Sequence, residues 1–157
     1  MPVEHAVPGR AFSVALVVAL LASLLMLGPA LAHAFEFLNK IDLPREQYFT
    51  VQQIYRGWDT FAVVLVLQVV ALLAAGILAR HDRRLLAPIL LAILCIAAAQ
   101  GLFWVFTFPA NRATANWTVR PDDWQTLRLH WEISHLAGAV LQFVAVVALM
   151  VAALRHR

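Results

Sequence analysis

The chain has 157 residues, of which 62% are hydrophobic and only 13% charged, with a formal net charge of +3. An average soluble domain carries about 25% charged residues, so this composition argues against a water-soluble fold. The scattered arginines form no basic stripe of the kind that binds nucleic acid. The single cysteine, Cys95, lies inside an apolar run, which leaves no partner for an intrachain disulfide and no thiolate metal cluster.

Four uncharged runs, residues 11–32, 60–79, 85–110 and 133–154, each come near the roughly 20 residues needed to cross a bilayer. They predict an all-α, integral membrane four-helix bundle with spans at about 11–32, 60–79, 85–109 and 133–154. The remainder is too short for a separate soluble domain, so residues 1–157 form one membrane domain. In the first run, Arg10, the apolar stretch and Ala30-Leu31-Ala32 also fit a secretory signal cleaved before His33. The apolar core is longer than that of most such signals, and the reading adopted is an uncleaved helix. An even number of crossings puts both termini on one side with Arg10, Arg80, Arg83, Arg84, Arg155 and Arg157 against Glu4 and Asp82. These arginines are crowded into short tails and one tight turn, which makes that side cytoplasmic.

The outer segments, 33–59 and 110–132, are the long ones, and helical extensions are expected there. Pro44 and Glu46 open a helix from about Leu43 through Trp58, breaking near Gly57 or running on. Pro121, Asp122 and Asp123 open another that nothing but Gly138 interrupts before Arg157. All five tryptophans and both tyrosines fall on or near this side, whereas an aromatic belt would mark both interfaces. Polar and aromatic residues recur at helical spacing. Trp124, Arg128, Trp131, His135, Gly138 and Gln142 share one face of the last helix. Gln100, Trp104, Thr107 and Asn111 do so on the third, and Tyr48, Gln52, Tyr55 and Asp59 on the Pro44 helix. A packing seam in lipid favours small apolar residues, so these stripes point to a polar, aromatic-walled pocket open to the outer side. Gln68, Gln100 and Gln142, lying deeper, are expected to hydrogen-bond between helices. His5, His81 and His156 are expected in solvent, and His130 on a flank away from the stripe.

Two pairs have metal-ligand spacing: Glu132 with His135, and His33 with Glu36. A two-His, two-carboxylate metal site and bis-histidine haem ligation by His33 and His135 are therefore alternatives to a site with no cofactor. No phosphate loop, nucleophile elbow or CxxC occurs, and no internal repeat points to a transporter.

The stretch "FPANRATANWTVRPDDWQTLRLHWEISH", with Asn111, Trp117, Trp124, Arg128, Trp131 and His135, resembles the anthrone-oxygenase-like family of small four-helix membrane proteins. The resemblance covers roughly residues 101–151. It departs from the family's pattern where Leu136, Ala137 and Gly138 follow the histidine instead of an arginine. It implies cofactor-free oxygenation of a hydrophobic polycyclic phenol by O₂, with His135 as base and Arg128 and Asn111 holding the oxyanion. Trp117, Trp124, Trp131, Trp104 and Tyr55 would wall the substrate. Together with the lack of eukaryotic signals, it also implies a bacterial inner membrane. The rival reading is a non-enzymatic bundle, a small-molecule-binding or accessory subunit in which the same residues make an interhelical network.

Overall fold

The computed structural model describes residues 9–156. Glu4, His5 and Arg157 lie outside them. Helix α1 (Arg10–Lys40) runs unbroken through Ala30 to Ala32. A short helix α2 (Arg45–Gln52) follows, then two 3-10 turns, Gln53–Tyr55 and Trp58–Thr60. The break between those turns falls at Gly57, whose φ of 87° lies in the left-handed region that favours glycine. The Pro44 helix is thus shorter than expected, and the chain restarts as α3 (Phe61–Leu78). Asp82 caps α4 (Arg83–Leu102) by accepting the Arg84 N–H at 2.9 Å. A π turn, Phe103–Thr107, joins α4 to α5 (Phe108–Ala113).

The last helix, α6 (Trp124–Arg155), begins three residues after Pro121. Pro121 to Asp123 form a turn instead of the first helical residues. Arg45 draws the Arg120 and Pro121 carbonyls toward itself, which holds this stretch outside the helix. At 32 residues, α6 is about 48 Å long, well beyond a hydrocarbon core of about 30 Å.

Four helical stretches, Arg10–Lys40, Trp58–Leu78, Arg83–Ala113 and Trp124–Arg155, are long and apolar enough to cross a membrane. No strand occurs among the described residues. Helix α1 packs between α3 and α6, α6 packs between α1 and α4, and α3 meets α4 more lightly. Their seams carry Ala19, Ala71, Ala75, Ala92, Ala145, Ala148 and Ala152 around Leu16, Leu72, Ile89 and Leu149. Small side chains at these positions let the backbones approach closely. The outward faces carry Val17, Leu21, Leu25, Val63, Val66, Leu94, Val140 and Phe143, all exposed. A helix facing water would place charges there.

Halfway along, Gln68 Nε2 donates to Ser23 Oγ at 3.0 Å and Gln142 Nε2 to the Ser23 carbonyl at 2.9 Å. Gln100, half-buried, stays outside this knot. At the arginine-rich end His156 is not solvated as expected. It packs edge-on against Phe12 at 4.8 Å and shares a 2.9 Å hydrogen bond with Ser13, tying the start of α1 to the end of α6. His81 is exposed, and so is His130, which lies edge-on to Phe106 at 5.6 Å.

Candidate functional site

Beyond the apolar seam, the opposite end of the helices holds the buried charges and rings. One turn of α1 after another places His33, Glu36 and Lys40 on a single face. Lys40 is 3% exposed, an uncommon state for an ammonium, and the neighbours that make it tolerable are all present. Its Nζ lies 3.4 Å from Glu36 and 3.3 Å from the fully buried Glu132 of α6. It donates to the Tyr55 hydroxyl at 2.6 Å and sits 4.6 and 4.7 Å from the centroids of the Tyr55 and Trp131 rings. Tyr55 in turn donates to Glu36. From α2, Tyr48 donates to Glu132 Oε1 at 2.9 Å and accepts from Gln52 Nε2. The second Glu132 oxygen, Oε2, is buried with no hydrogen-bond partner.

Burial, then the neighbouring Glu132 carboxylate, raises the Tyr48 phenol far above its ordinary value; burial and then the hydrogen bond to Glu36 do the same for Tyr55. Both phenols therefore stay protonated and keep donating where a free tyrosine ionises, near pH 10. The unfolded chain releases those protons as pH rises through about 10 while the folded chain retains them, so stability falls with rising pH in that window. Thermal unfolding in mild detergent from about pH 8 to 11 should show this fall. Tyr48→Phe together with Tyr55→Phe should flatten it.

Next to this network stand two imidazoles. The rings of His33 and His135 are 4.3 Å apart, centroid to centroid, tilted by 58°. Trp131 stacks on His135 at 3.9 Å and meets His33 edge-on at 5.0 Å. Tyr55 and Trp58 complete the surround of His33 at 4.5 and 5.3 Å. His135 Nδ1–H donates to the Trp131 carbonyl at 2.8 Å. A carbonyl only accepts, so Nδ1 carries the proton and the lone pair of the neutral ring sits on Nε2. His33 Nδ1 is buried without a partner.

The other expected site residues are divided among separate jobs. Asn111 Oδ1 accepts from the indole N–H of Trp117 at 3.1 Å and of Trp131 at 2.9 Å. Since an indole N–H can only donate, the Asn111 oxygen is committed to these two rings. Arg128 stands about 10 Å up the helix from His135. Its Nη1 donates to the Leu43 carbonyl at 2.9 Å, and its guanidinium lies over Trp124 and Tyr48 at 4.7 and 5.4 Å. Arg128, Asn111 and His135 thus do not converge on one point. Trp117 packs on Tyr48 and Phe49, held there by a left-handed run, Ala115 to Trp117, with φ from 46° to 64°. Thr114 Oγ1 supports that run by accepting the Trp117 N–H at 3.0 Å.

Trp104 does not join the site. It is 59% exposed and packs against Phe108 at 4.9 Å with the rings tilted by 52°. The π turn at Phe103–Thr107 fits an extra residue into the helix and rotates Trp104 outward, while Thr107, buried, still reaches Ser134 at 2.6 Å. Asp59 is exposed and also stands apart, because the Pro44 helix ends at Gln52.

Asn111→Ala should leave two buried indole donors without acceptors, at a cost of about 1–3 kcal/mol each. Asn111→Asp, which keeps an acceptor oxygen in place, should recover most of it. Chemical unfolding followed by tryptophan fluorescence checks both.

The four residues with metal-ligand spacing, His33, Glu36, Glu132 and His135, are brought to one end of the molecule. Glu36 and Glu132 there face the Lys40 ammonium, which occupies the space between the carboxylates that a metal ion would need. No group of three or more metal-ligating side chains with suitable geometry occurs among the described residues. The two imidazoles, 4.3 Å apart, leave no room for a porphyrin plane between them. Neither group fits this arrangement.

No family model, curated protein or solved structure matches the chain.

Proposed function

We propose that the chain is an integral membrane four-helix bundle with both termini on the cytoplasmic side of a bacterial inner membrane. Its outer, aromatic end is a cofactor-independent oxygenase site for a hydrophobic polycyclic phenol. The observation that carries the chemistry is the fixed tautomer of His135: with Nδ1–H held by the Trp131 carbonyl, Nε2 is the basic atom. The His135 ring lies between Trp131 and His33, and Tyr55 and Trp58 pack on His33 in turn. The exposed apolar faces of the long helices support the placement in lipid.

In this scheme His135 Nε2 takes the acidic carbon-bound proton of the phenol and leaves a delocalised anion. The anion transfers an electron to O₂, the resulting radical and superoxide combine to a peroxide anion, and protonated His135 returns its proton to give the substrate hydroperoxide and the free base. Loss of water then gives the ketone, so one oxygen atom ends in product and one in water with no outside reductant. Arg128 and Asn111, committed to Leu43 and to two indoles, position the aromatic walls. O₂ and a flat apolar substrate both concentrate in lipid, which suits a site at the membrane boundary.

The test is oxygen uptake by purified protein in mild detergent with anthrone-type phenols. Turnover without added flavin, haem or metal, and insensitive to chelators, is expected; binding of the phenol without any uptake would overturn the proposal. That second outcome belongs to a non-catalytic small-molecule-binding or accessory bundle, a reading favoured by the same occupation of Arg128 and Asn111 by protein partners.

A further inference from the structure

At the arginine-rich end, α4 and α6 part to leave a groove of about 450 Å³ lined by Pro88, Leu91, Phe143, Val147, Val151 and Arg155 among others. Its floor is apolar, and Phe143 and Val147 stand exposed along it. From Arg155 to Phe143 the groove covers about 18 Å of helix, close to the depth of one leaflet, about half of a 30 Å hydrocarbon core. It therefore reaches from the headgroup boundary to the middle of the bilayer.

The cation at its mouth is held in place by a backbone defect. Pro88 has no N–H to give the carbonyl four residues before it, and that carbonyl, of Arg84, accepts instead from Arg155 Nη1 at 3.0 Å. One edge of the guanidinium is thus anchored across the two helices, and among the described residues no other acceptor takes its remaining N–H groups. Arg80, Arg83 and Arg84 are exposed at the same end, and none of these four arginines forms a salt bridge among the described residues. The nearby Asp82 accepts from the Arg84 backbone as the cap of α4.

We propose that this groove binds an anionic phospholipid of the cytoplasmic leaflet, one acyl chain lying along Phe143 and Val147 and the phosphate meeting Arg155. An apolar slot one leaflet deep suits a lipid chain, and an anchored guanidinium at the headgroup level, with no ion-pair partner among the described residues, suits its phosphate. The site rests on the bilayer placement proposed above and is independent of the oxygenase chemistry at the opposite end.

The experiment titrates the full chain in mild detergent with phosphatidylglycerol and, separately, phosphatidylcholine, counting bound lipid by native mass spectrometry. Phosphatidylglycerol is expected to bind one tight site about tenfold better than phosphatidylcholine. Arg155→Gln should remove most of that preference, whereas Arg83→Gln, away from the groove, should keep it. Val147→Trp, at an exposed position compatible with folding, should fill the slot and weaken both lipids. Equal affinity for the two lipids, a preference that survives Arg155→Gln, an equal loss in Arg83→Gln, or unchanged binding to Val147→Trp would each overturn the site. Alkaline washing of membranes tests the bilayer placement separately: a chain released by the wash would refute that placement instead.

Discussion

Replacing Lys40 with methionine should destabilise the protein by about 3–5 kcal/mol, the usual consequence of removing one partner from a buried ion pair. The cost comes less from the lost attraction than from what is left behind. Glu132, whose side chain is fully buried, keeps the Tyr48 hydroxyl on one oxygen and nothing on the other. Tyr55 loses a donor as well. Methionine fills a similar volume, so packing against Trp131 is largely retained and the effect reports charge. Lys40→Met combined with Glu132→Gln should be more stable than Lys40→Met alone, because the stranded carboxylate is gone. Unfolding of the four proteins of this cycle in the same detergent measures the coupling directly. A single-variant loss within about 0.5 kcal/mol, the range of an ordinary surface change, would mean that Lys40 is solvated and that the network does not hold this end together.

The second large effect is on turnover. Glutamine at position 135 keeps a polar side chain near Trp131 but has no basic nitrogen, so His135→Gln should lower the rate with an anthrone-type phenol about 10²- to 10⁴-fold, the range that a positioned general base contributes. Substrate binding should change much less, since the surrounding Trp131, Tyr55 and Trp58 rings are untouched. Arg128→Gln separates the proposed roles: as a positioning residue about two turns away, it should raise KM more than it lowers kcat. An equal fall in kcat for both variants would return Arg128 to direct contact with the reacting atoms.

The long helices were legible because four uncharged runs of bilayer length leave little freedom, and the aromatic end because tryptophan and tyrosine gather on one side. The stripe on α6 was legible for the same reason: Trp124, Arg128, Trp131 and His135 lie on one uninterrupted helix, where spacing fixes direction. Trp104 was misplaced because its spacing from Gln100 and Thr107 assumes a regular helix, and the π turn at Phe103–Thr107 breaks that regularity. Asp59 failed likewise because the helix ends at Gln52 and the chain turns at Gly57 before reaching it.

Lys40 is the largest omission. Its signal lies in the spacing of His33, Glu36 and Lys40, three and then four residues apart on α1, but it becomes visible only when the first helix is carried past its uncharged run. Glu36 and Glu132, read as possible metal ligands, then find their counter-charge within the chain. The partners of Asn111 and Arg128 could not be read from spacing, because Trp117 and Leu43 are brought to them by loops.

The claim that joins these observations is that His135 removes a proton from carbon. Anaerobic mixing of the protein with an anthrone-type phenol isolates this step, because the anion, which absorbs at longer wavelength than the neutral phenol, accumulates when O₂ is absent. The wild-type chain should form the anion in proportion to bound phenol, and His135→Gln should bind the phenol without forming it. Phenol that binds to the wild-type protein and stays neutral, or an anion that forms equally with His135→Gln, would contradict the account.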